Sequence, residues 1–480
     1  MADTLTPDLC VIGAGSGGLS LAAAAAAFGV PVVLIEKAKM GGDCLNYGCV
    51  PSKALLAAAR HAAEPQHVAA FGLARQRAAV DFARVNAHVH RVIGAIAPND
   101  STERFTGLGV QVIAGAARFK DHKTVTVAAH GKEHEITARR FVIATGSRAA
   151  LPAIEGLVAT PHFTNETIFE LKRCPAHLVV IGGGPVGLEL AQAFRRLGAQ
   201  VTVLEAAIPL AHDDPECAAI VLQQLRAEGI VIRAGVSVTR VAAADSKVQV
   251  VINDMNKNSE ETIEGTDLLV AAGRRPNIEG LELDAAGITY NDKGVAVGKD
   301  LKSSNKRVYA IGDVAGGPQF THAANYHAGI VLRNALFRLP VRVRDDALPW
   351  VTFTDPELAQ VGLTEREARA QHKMVRVLRW PYHENDRAQA EHTTHGHIKV
   401  ITRPNGRILG CTIVGAQAGE LITAWTLALS RGLNIRHMTE IVVPYPTLSE
   451  IGKRAAISYF SPSLTNPRLR GLIGFLRRFG

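Results

Sequence analysis

Two stretches of this chain are built to the same pattern. The apolar run Leu9–Ile12 leads into Gly13-Ala14-Gly15-Ser16-Gly17-Gly18, an alanine-rich helical segment to Phe28, a second apolar run Val32–Ile35, and Glu36. Leu178–Ile181 leads into Gly182-Gly183-Gly184-Pro185-Val186-Gly187, a helix through Arg196, the run Val201–Leu204, and Glu205. The acid falls at the same offset from the first glycine in both. A GxGxxG turn between strand and helix, with an acid at that distance, is a dinucleotide-binding signal. Gly13 and Gly182 allow the tight turn, Gly15 and Gly184 the close approach of pyrophosphate, and Gly18 and Gly187 the helix–strand contact. The helix N-terminus faces the phosphates, and Glu36 or Glu205 binds a ribose. The repeat therefore predicts an α/β chain with two Rossmann-like units of three layers and two bound nucleotides.

Between the repeats lies Gly41-Gly42-Asp43-Cys44-Leu45-Asn46-Tyr47-Gly48-Cys49-Val50-Pro51-Ser52-Lys53. A disulfide needs Cα atoms within about 7 Å. A straight helix places i and i+5 near or beyond that limit, on different faces. A Cys44–Cys49 bridge thus needs a distorted turn, which Gly48 makes cheap. Spacing alone leaves two readings: a redox pair, or two unrelated reduced thiols.

The stretch resembles the active-site signature of the flavoprotein pyridine nucleotide-disulfide oxidoreductases. That family includes dihydrolipoamide dehydrogenase, glutathione reductase and mercuric reductase. Later motifs fall in the family's order over nearly the whole chain. The resemblance implies that Cys44 and Cys49 form a redox-active disulfide, with Cys49 nearest the flavin and Cys44 meeting the acceptor. Lys53 is then paired with Glu189 and held near the flavin. FAD contacts are implied for Gly13, Gly15, Gly18, Glu36, Lys53, Gly115, Thr145, Gly146, Asp313, Thr321 and Ala323. Nicotinamide-cofactor contacts are implied for Gly182, Gly184, Gly187, Glu205, Val238 and Gly273. Ala144-Thr145-Gly146-Ser147 marks the exit from the FAD domain, and Gly273-Arg274-Arg275-Pro276-Asn277 the return to it. The expected organisation is an FAD-binding domain in two parts, 1–150 and 276–345, an NAD(P)-binding domain over 151–275, and an α+β dimerisation domain over 346–480. A homodimer with a shared active site is implied.

Glu205 bears on the nicotinamide cofactor. A carboxylate can accept both ribose hydroxyls and repels a 2′-phosphate. No Lys or Arg lies between 206 and 225 to bind that phosphate. NAD is therefore the expected partner, although Ala191 stands where NAD-using members commonly carry glycine.

Composition narrows the class further. A length of 480 predicts roughly three domains, and an apolar content of 47% supplies ample core. Six cysteines with one close pair suit a reducing compartment with one catalytic bridge, not a disulfide scaffold. Residues 9–35 carry no charge, but glycines and Pro31 break them into strand, turn, helix, turn and strand, so they do not read as a membrane span. No basic segment precedes them as in a signal peptide, and a cytoplasmic location is expected. The net charge of +9 is unaccompanied by a zinc-finger or RNA-recognition signature, which argues against nucleic acid as a partner. In the tail, Leu469, Leu472, Ile473, Leu476 and Phe479 follow helical spacing among Arg468, Arg470, Arg477 and Arg478, a pattern suited to weak contact with an anionic membrane surface. His61, His67, His88 and His90 read as surface histidines. His392, His395 and His397 read as a polar loop, so no metal site is expected.

The departures come near the C-terminus. Family members that reduce organic disulfides usually show His-Pro-Thr with a glutamate five residues after the histidine. Here the run is Tyr445-Pro446-Thr447-Leu448-Ser449-Glu450, so Glu450 is present and Tyr445 replaces the histidine. A phenol titrates near ~10 and an imidazole near ~6.5, so Tyr445 is a poor base at neutral pH. Mercuric reductases also carry tyrosine at this position, and the chain resembles that branch. It has no cysteine after Cys411 and no N-terminal metal-binding domain, which argues against direct mercuric reduction. The expected function is an FAD-dependent NAD(P)H oxidoreductase. Electrons pass through Cys44–Cys49 to a disulfide, metal or other small-molecule acceptor. The alternatives are a divergent dihydrolipoamide dehydrogenase and a non-catalytic flavin- or NADH-binding sensor.

Overall fold

The repeated pattern folds twice. The computed structural model describes residues 3–64, 68–74, 79–129, 131–245, 247–255, 257 and 259–479. The first copy is strand Leu9–Ile12, helix Ser16–Ala27 and strand Val32–Glu36. The second is strand His177–Ile181, helix Pro185–Arg196 and strand Gln200–Glu205. The strand centres are largely apolar because both faces of a parallel sheet are covered. No helix among the described residues is long and apolar enough to cross a membrane. His67 lies outside the described residues.

Contacts divide the chain into two compact units. The first comprises Met1–Gln66, Gln76–Ala206 and Arg233–Arg344. Its five-stranded parallel sheet runs in the order Val308–Ala310, Arg140–Ile143, Leu9–Ile12, Val32–Glu36, Val110–Ala114. One face is covered by helices Ser16–Ala27 and Thr321–Ala335, around Leu21, Leu34, Tyr309 and Ile330. The other face packs on the antiparallel strands Ala117–Asp121, Thr124–Ala129 and Lys132–Thr137, around Phe119, Ile136 and Phe141. In the second repeat, His177–Ile181 pairs parallel with both Gln200–Glu205 and Asp267–Val270. A separate antiparallel layer of Val236–Ala244, Lys247–Asp254 and Ser259–Gly265 completes that core. The sequence pattern marks the four strands of the two repeats, whereas Ala117–Asp121 and Lys132–Thr137 are hidden by their exposed charged residues.

The second unit comprises His67–Arg75, Ala207–Ile232 and Asp345–Gly480. Its five-stranded antiparallel sheet has the order Pro349–Thr352, Glu357–Gly362, Ile408–Gly415, His397–Thr402, Arg376–Pro381. Helices Ala418–Ser430 and Glu450–Ser458 pack on it around Trp425, Ile398 and Ile413. Helix Pro215–Ala227 is part of this unit and is held by charge. Its N-cap Asp214 accepts from Glu216 N at 3.1 Å and from Lys399 Nζ at 2.9 and 3.0 Å. Lys399 also reaches Glu216 at 2.9 Å and Glu365 at 2.8 Å, with its side chain only 3% exposed. His397 sits half-buried beside Cys217 Sγ at 3.5 Å. The tail helix Pro467–Leu476 has no buried residue.

A buried ammonium shared by three carboxylates is costly to interrupt, because removing it leaves the buried Asp214 carboxylate without its counter-charge. Lys399→Ala is expected to destabilise the protein by ~3–5 kcal/mol, read as a lowered urea midpoint with an unchanged slope.

Candidate active site

The nucleotide turns are shaped by atoms too close for side chains. Gly13 and Gly182 have φ of 108° and 116°. A Cβ on either would lie 2.4 or 2.3 Å from a carbonyl oxygen of the neighbouring strand's exit, Ala144 or Ala271. A Cβ on Gly18 would lie 1.9 Å from Gly13 O, and one on Gly187 2.1 Å from Gly182 O. Both helices that follow lack a side-chain N-cap and carry no acid in their first turn. Uncapped N-terminal amides beside a backbone cleared of side chains suit a pyrophosphate. The acids are oriented alike: Glu36 Oε2 accepts from Ala14 N at 2.7 Å, and Glu205 Oε2 accepts from Gly183 N at 2.6 Å. Gly115 N donates to Glu36 O at 2.8 Å.

The cysteine stretch is docked onto the first turn. Gly41 N donates to Ala14 O at 3.0 Å, and a Cβ on Gly42 would lie 2.6 Å from Gly15 Cα. The chain then makes a short helix, Gly42–Asn46, that Asn46 ties down by donating to Met40 O and Gly42 O. It breaks at Tyr47-Gly48 and restarts as helix Cys49–Ala63. The break is the distorted turn that the five-residue spacing requires. Gly48 eases the fit there: its φ is −124°, and a Cβ would stand 3.0 Å from Asp43 Oδ2, a contact tighter than most side chains adopt. Pro51 is tolerated in the first turn, where its missing N–H has no partner to lose.

Cys44 and Cys49 are free thiols joined by a hydrogen bond. Cys49 opens the longer helix, where the macrodipole favours a thiolate. Its Sγ also meets Thr321 Oγ1 at 3.2 Å, at the start of helix Thr321–Ala335. The Cys44 hydrogen bond, above all, lowers the Cys49 thiol to about 6, against loss of water around the sulfur. The Thr321 contact and the Lys53 charge lower it further, while Asp43 opposes them. The same Cys44–Cys49 bond, then burial, pushes the Cys44 thiol far up. The pair is therefore asymmetric, with the anion on Cys49 and the proton on Cys44. Lys53, one turn beyond Cys49, donates to Glu189 Oε2 at 2.8 Å; Glu189 is buried on helix Pro185–Arg196.

Around this pair, Thr145 Oγ1 donates to Asn277 O at 2.7 Å, and Asn277 N donates to Gly146 O at 2.9 Å. This joins the two crossing segments of the first unit. Asp313 accepts from Ser147 Oγ at 2.5 Å, and burial pushes its carboxyl up against that bond. Ala323 is fully buried on the Thr321 helix. Gly273 accepts from Ala150 N at 3.0 Å, and Val238 is half-buried in the antiparallel layer. Tyr445 and Glu450 belong to the second unit. Tyr445 is 70% exposed, and its hydroxyl donates to Asp386 Oδ2 at 2.7 Å, which raises its pKa. Glu450 opens helix Glu450–Ser458 and is half-buried. Asp386 and Asn165 escaped sequence reasoning, and Ser147 and Arg274 were marked only as parts of the two crossing motifs, since each acts on a partner far away in sequence.

Residues 7–328 match the pyridine nucleotide-disulphide oxidoreductase family, and residues 348–456 match its dimerisation domain. The chain is 35% identical over 457 residues to a mercuric reductase of Lysinibacillus sphaericus, covering 94% of this chain and 82% of the relative. It is 33% identical over 456 residues to a dihydrolipoyl dehydrogenase of Geobacillus stearothermophilus, covering 93% and 94%. The Cu(II) complex of the HOCl-induced flavoprotein disulfide reductase RclA from Escherichia coli aligns with a TM-score of 0.84 at 28% identity, over 96% of this chain and 100% of that one.

The asymmetry of the thiols has a direct readout. In the reduced protein, iodoacetamide should modify Cys49 with a midpoint near pH 6, because the thiolate is the nucleophile and is lost as pH falls through about 6. Thr321→Val removes a donor to that thiolate and is expected to move the midpoint upward, as followed by mass spectrometry of the labelled peptide.

Proposed function

The chain belongs to the pyridine nucleotide-disulphide oxidoreductase family, and on that premise we propose that it carries electrons from NADH through a Cys44–Cys49 disulfide to a thiol-reactive acceptor. The family is FAD-dependent, uses NAD(P)H and contains a dimerisation domain, and the chain is an oxidoreductase of this type. The observation that carries the reading is the cysteine pair itself, turned back at the Tyr47-Gly48 break, with Cys49 at a helix N-terminus and its Sγ 3.2 Å from Thr321 Oγ1. FAD, when bound, relays two electrons from the nicotinamide to the disulfide. We assign it to residues 1–150 and 276–345, with Gly13, Gly15, Gly18, Glu36, Gly115, Thr145, Gly146, Asp313, Thr321, Ala323 and Lys53 as its contacts. The nicotinamide cofactor goes to residues 151–275, through Gly182, Gly184, Gly187, Glu205, Val238 and Gly273. Residues 346–480 then form the homodimer interface.

The chain's own groups have distinct tasks. Opening the disulfide consumes two electrons and one proton, and leaves a thiolate and a thiol. Cys49 keeps the negative charge, which Thr321, Lys53 and the helix N-terminus stabilise. Cys44, holding the proton, is the thiol that meets the acceptor. Glu189 orients Lys53 and prevents its long side chain from swinging into water. NADH is preferred because the Glu205 carboxylate, anchored on Gly183 N, stands where a 2′-phosphate would be repelled.

The acceptor is a soft metal ion, or another acceptor that needs no proton from Tyr445, rather than lipoamide. A disulfide acceptor leaves as a thiolate that must be protonated, and Tyr445 is poorly suited to recover protons once its pKa is raised by Asp386. Soft metal ions bind thiolates directly and need no such acid. Both the mercuric reductase relative and the Cu(II)-bound RclA are in keeping with that preference. A peripheral contact of the exposed tail with anionic membranes is a separate reading, tested by co-sedimentation with anionic vesicles at low salt.

Steady-state rates with NADH against Hg(II), Cu(II), glutathione disulfide and lipoamide test the assignment. Cys44→Ser is expected to retain FAD and accept hydride but lose acceptor turnover, and Cys49→Ser to lose the thiolate–flavin charge-transfer band as well. Turnover at the parent rate in both would refute the redox pair. NADH should exceed NADPH in kcat/KM, and Glu205→Arg should shift that preference toward NADPH. Tyr445→His should raise lipoamide turnover, within the roughly 10²–10⁴-fold that acid–base help is worth. A parent enzyme already efficient with lipoamide would overturn the choice of acceptor.

A further inference from the structure

Asp43 is a surprising neighbour for a thiolate. It immediately precedes Cys44, and its negative charge opposes ionisation of both sulfurs. The structure nonetheless fastens it in place from two sides. Asn165 Nδ2 donates to Asp43 Oδ1 at 3.1 Å and to Tyr47 O at 3.3 Å, spanning the break between the two helices. Gly48 lies close by, where a Cβ would stand 3.0 Å from Asp43 Oδ2. The guanidinium of Arg274 approaches Asp43 Oδ2 at 3.1 Å.

Arg274 is itself rigidly held. It lies on strand Arg274–Pro276, which pairs antiparallel with Ser147–Ala149. Its Nε donates to Ser147 Oγ at 2.7 Å and its Nη2 to Ser147 O at 3.0 Å, and its side chain is 20% exposed. Asp313 Oδ2 lies 3.8 Å from Nε and takes the Ser147 hydroxyl proton as its hydrogen bond. The charged groups around the sulfurs are thus Asp43 on the short helix and Lys53, with its partner Glu189, on the longer one. Arg274, with Asp313 behind it, faces Asp43 from the returning segment.

We propose that Arg274 is a positioning residue for the cysteine pair: it pins the Asp43 carboxylate against the Tyr47-Gly48 break and offsets its charge, so that Cys49 stays in its reactive anionic form. The acid is kept because it braces the break that brings the two cysteines together. Arg274 removes the electrostatic penalty of that brace. Through it, the junction where the chain re-enters the first unit sets the chemistry of a cysteine loop that lies far away in sequence. The inference rests on reading Cys44 and Cys49 as a redox pair.

The test is the pH profile of Cys49 alkylation in the reduced holoenzyme, with flavin content and melting temperature recorded for each variant. Asp43→Asn keeps the contact with Asn165 and removes the charge. Alkylation at pH 5 should become roughly threefold faster as the midpoint falls. Arg274→Gln leaves Asp43 uncompensated, and alkylation at pH 5 should become roughly threefold slower. In the double variant the Arg274→Gln effect should vanish, because Arg274 acts only through Asp43. A merely structural role would lower the melting temperature and leave every midpoint where it was. An unchanged or raised midpoint in Asp43→Asn overturns the proposal, as does an Arg274→Gln effect that persists without the Asp43 charge. Equilibration of the parent protein in glutathione redox buffers distinguishes the other failure: if no Cys44–Cys49 disulfide forms there, the redox-pair reading falls, whatever the alkylation profiles show.

Discussion

Backbone-to-backbone contact between Gly42 and the Gly15 turn sets the geometry of the whole site. A Cβ on Gly42 would collide with Gly15 Cα, and Gly41 N is bonded to Ala14 O. No side chain intervenes, so the cysteine loop has nothing compressible between it and the nucleotide turn. A phosphate-binding turn must be rigid to present its amides, and here the loop with the two thiols inherits that rigidity. Preorganisation of this kind holds reacting groups within a fraction of an ångström without spending substrate-binding energy.

Given that placement, electrostatics divides labour between two chemically identical side chains. Burial and Asp43 oppose both thiols, but their mutual contact lowers Cys49 and raises Cys44, and Cys49 also has a helix N-terminus, a hydroxyl and a lysine in its favour. The proton shared between them therefore resides on Cys44. The lysine is held by Glu189, buried on a helix of the second repeat, so an ion pair joins that repeat to the helix that carries Cys49.

In the second unit, polar groups are again arranged in compensated sets. Lys399 is surrounded by Asp214, Glu216 and Glu365, and Arg379 backs Glu216 at 2.7 Å, holding its carboxyl down to about 2. Tyr445 belongs to a smaller set. Its hydroxyl is committed to Asp386, which makes it a bound donor rather than a free base.

The amino-acid sequence by itself determined the two nucleotide turns, the acids that follow them, the α/β class and the candidate thiols. Each of these is a short-range requirement, expressed within a few residues as a glycine where no Cβ fits or an apolar strand where both faces are covered. The break at Tyr47-Gly48 was also legible, since two cysteines five apart cannot meet on an unbroken helix. The role of Gly48 was only half legible: its flexibility was anticipated, but the tight fit beside Asp43 was not. Only the tertiary structure decided which groups surround the sulfurs. Thr321 reaches Cys49 across 272 positions, Asn165 reaches Asp43 across 122, and Arg274 reaches Asp43 from the far end of the second repeat. The physical reason is that charge and hydrogen bonding act over a few ångströms of space, and sheet topology, not sequence distance, decides what lies within that range.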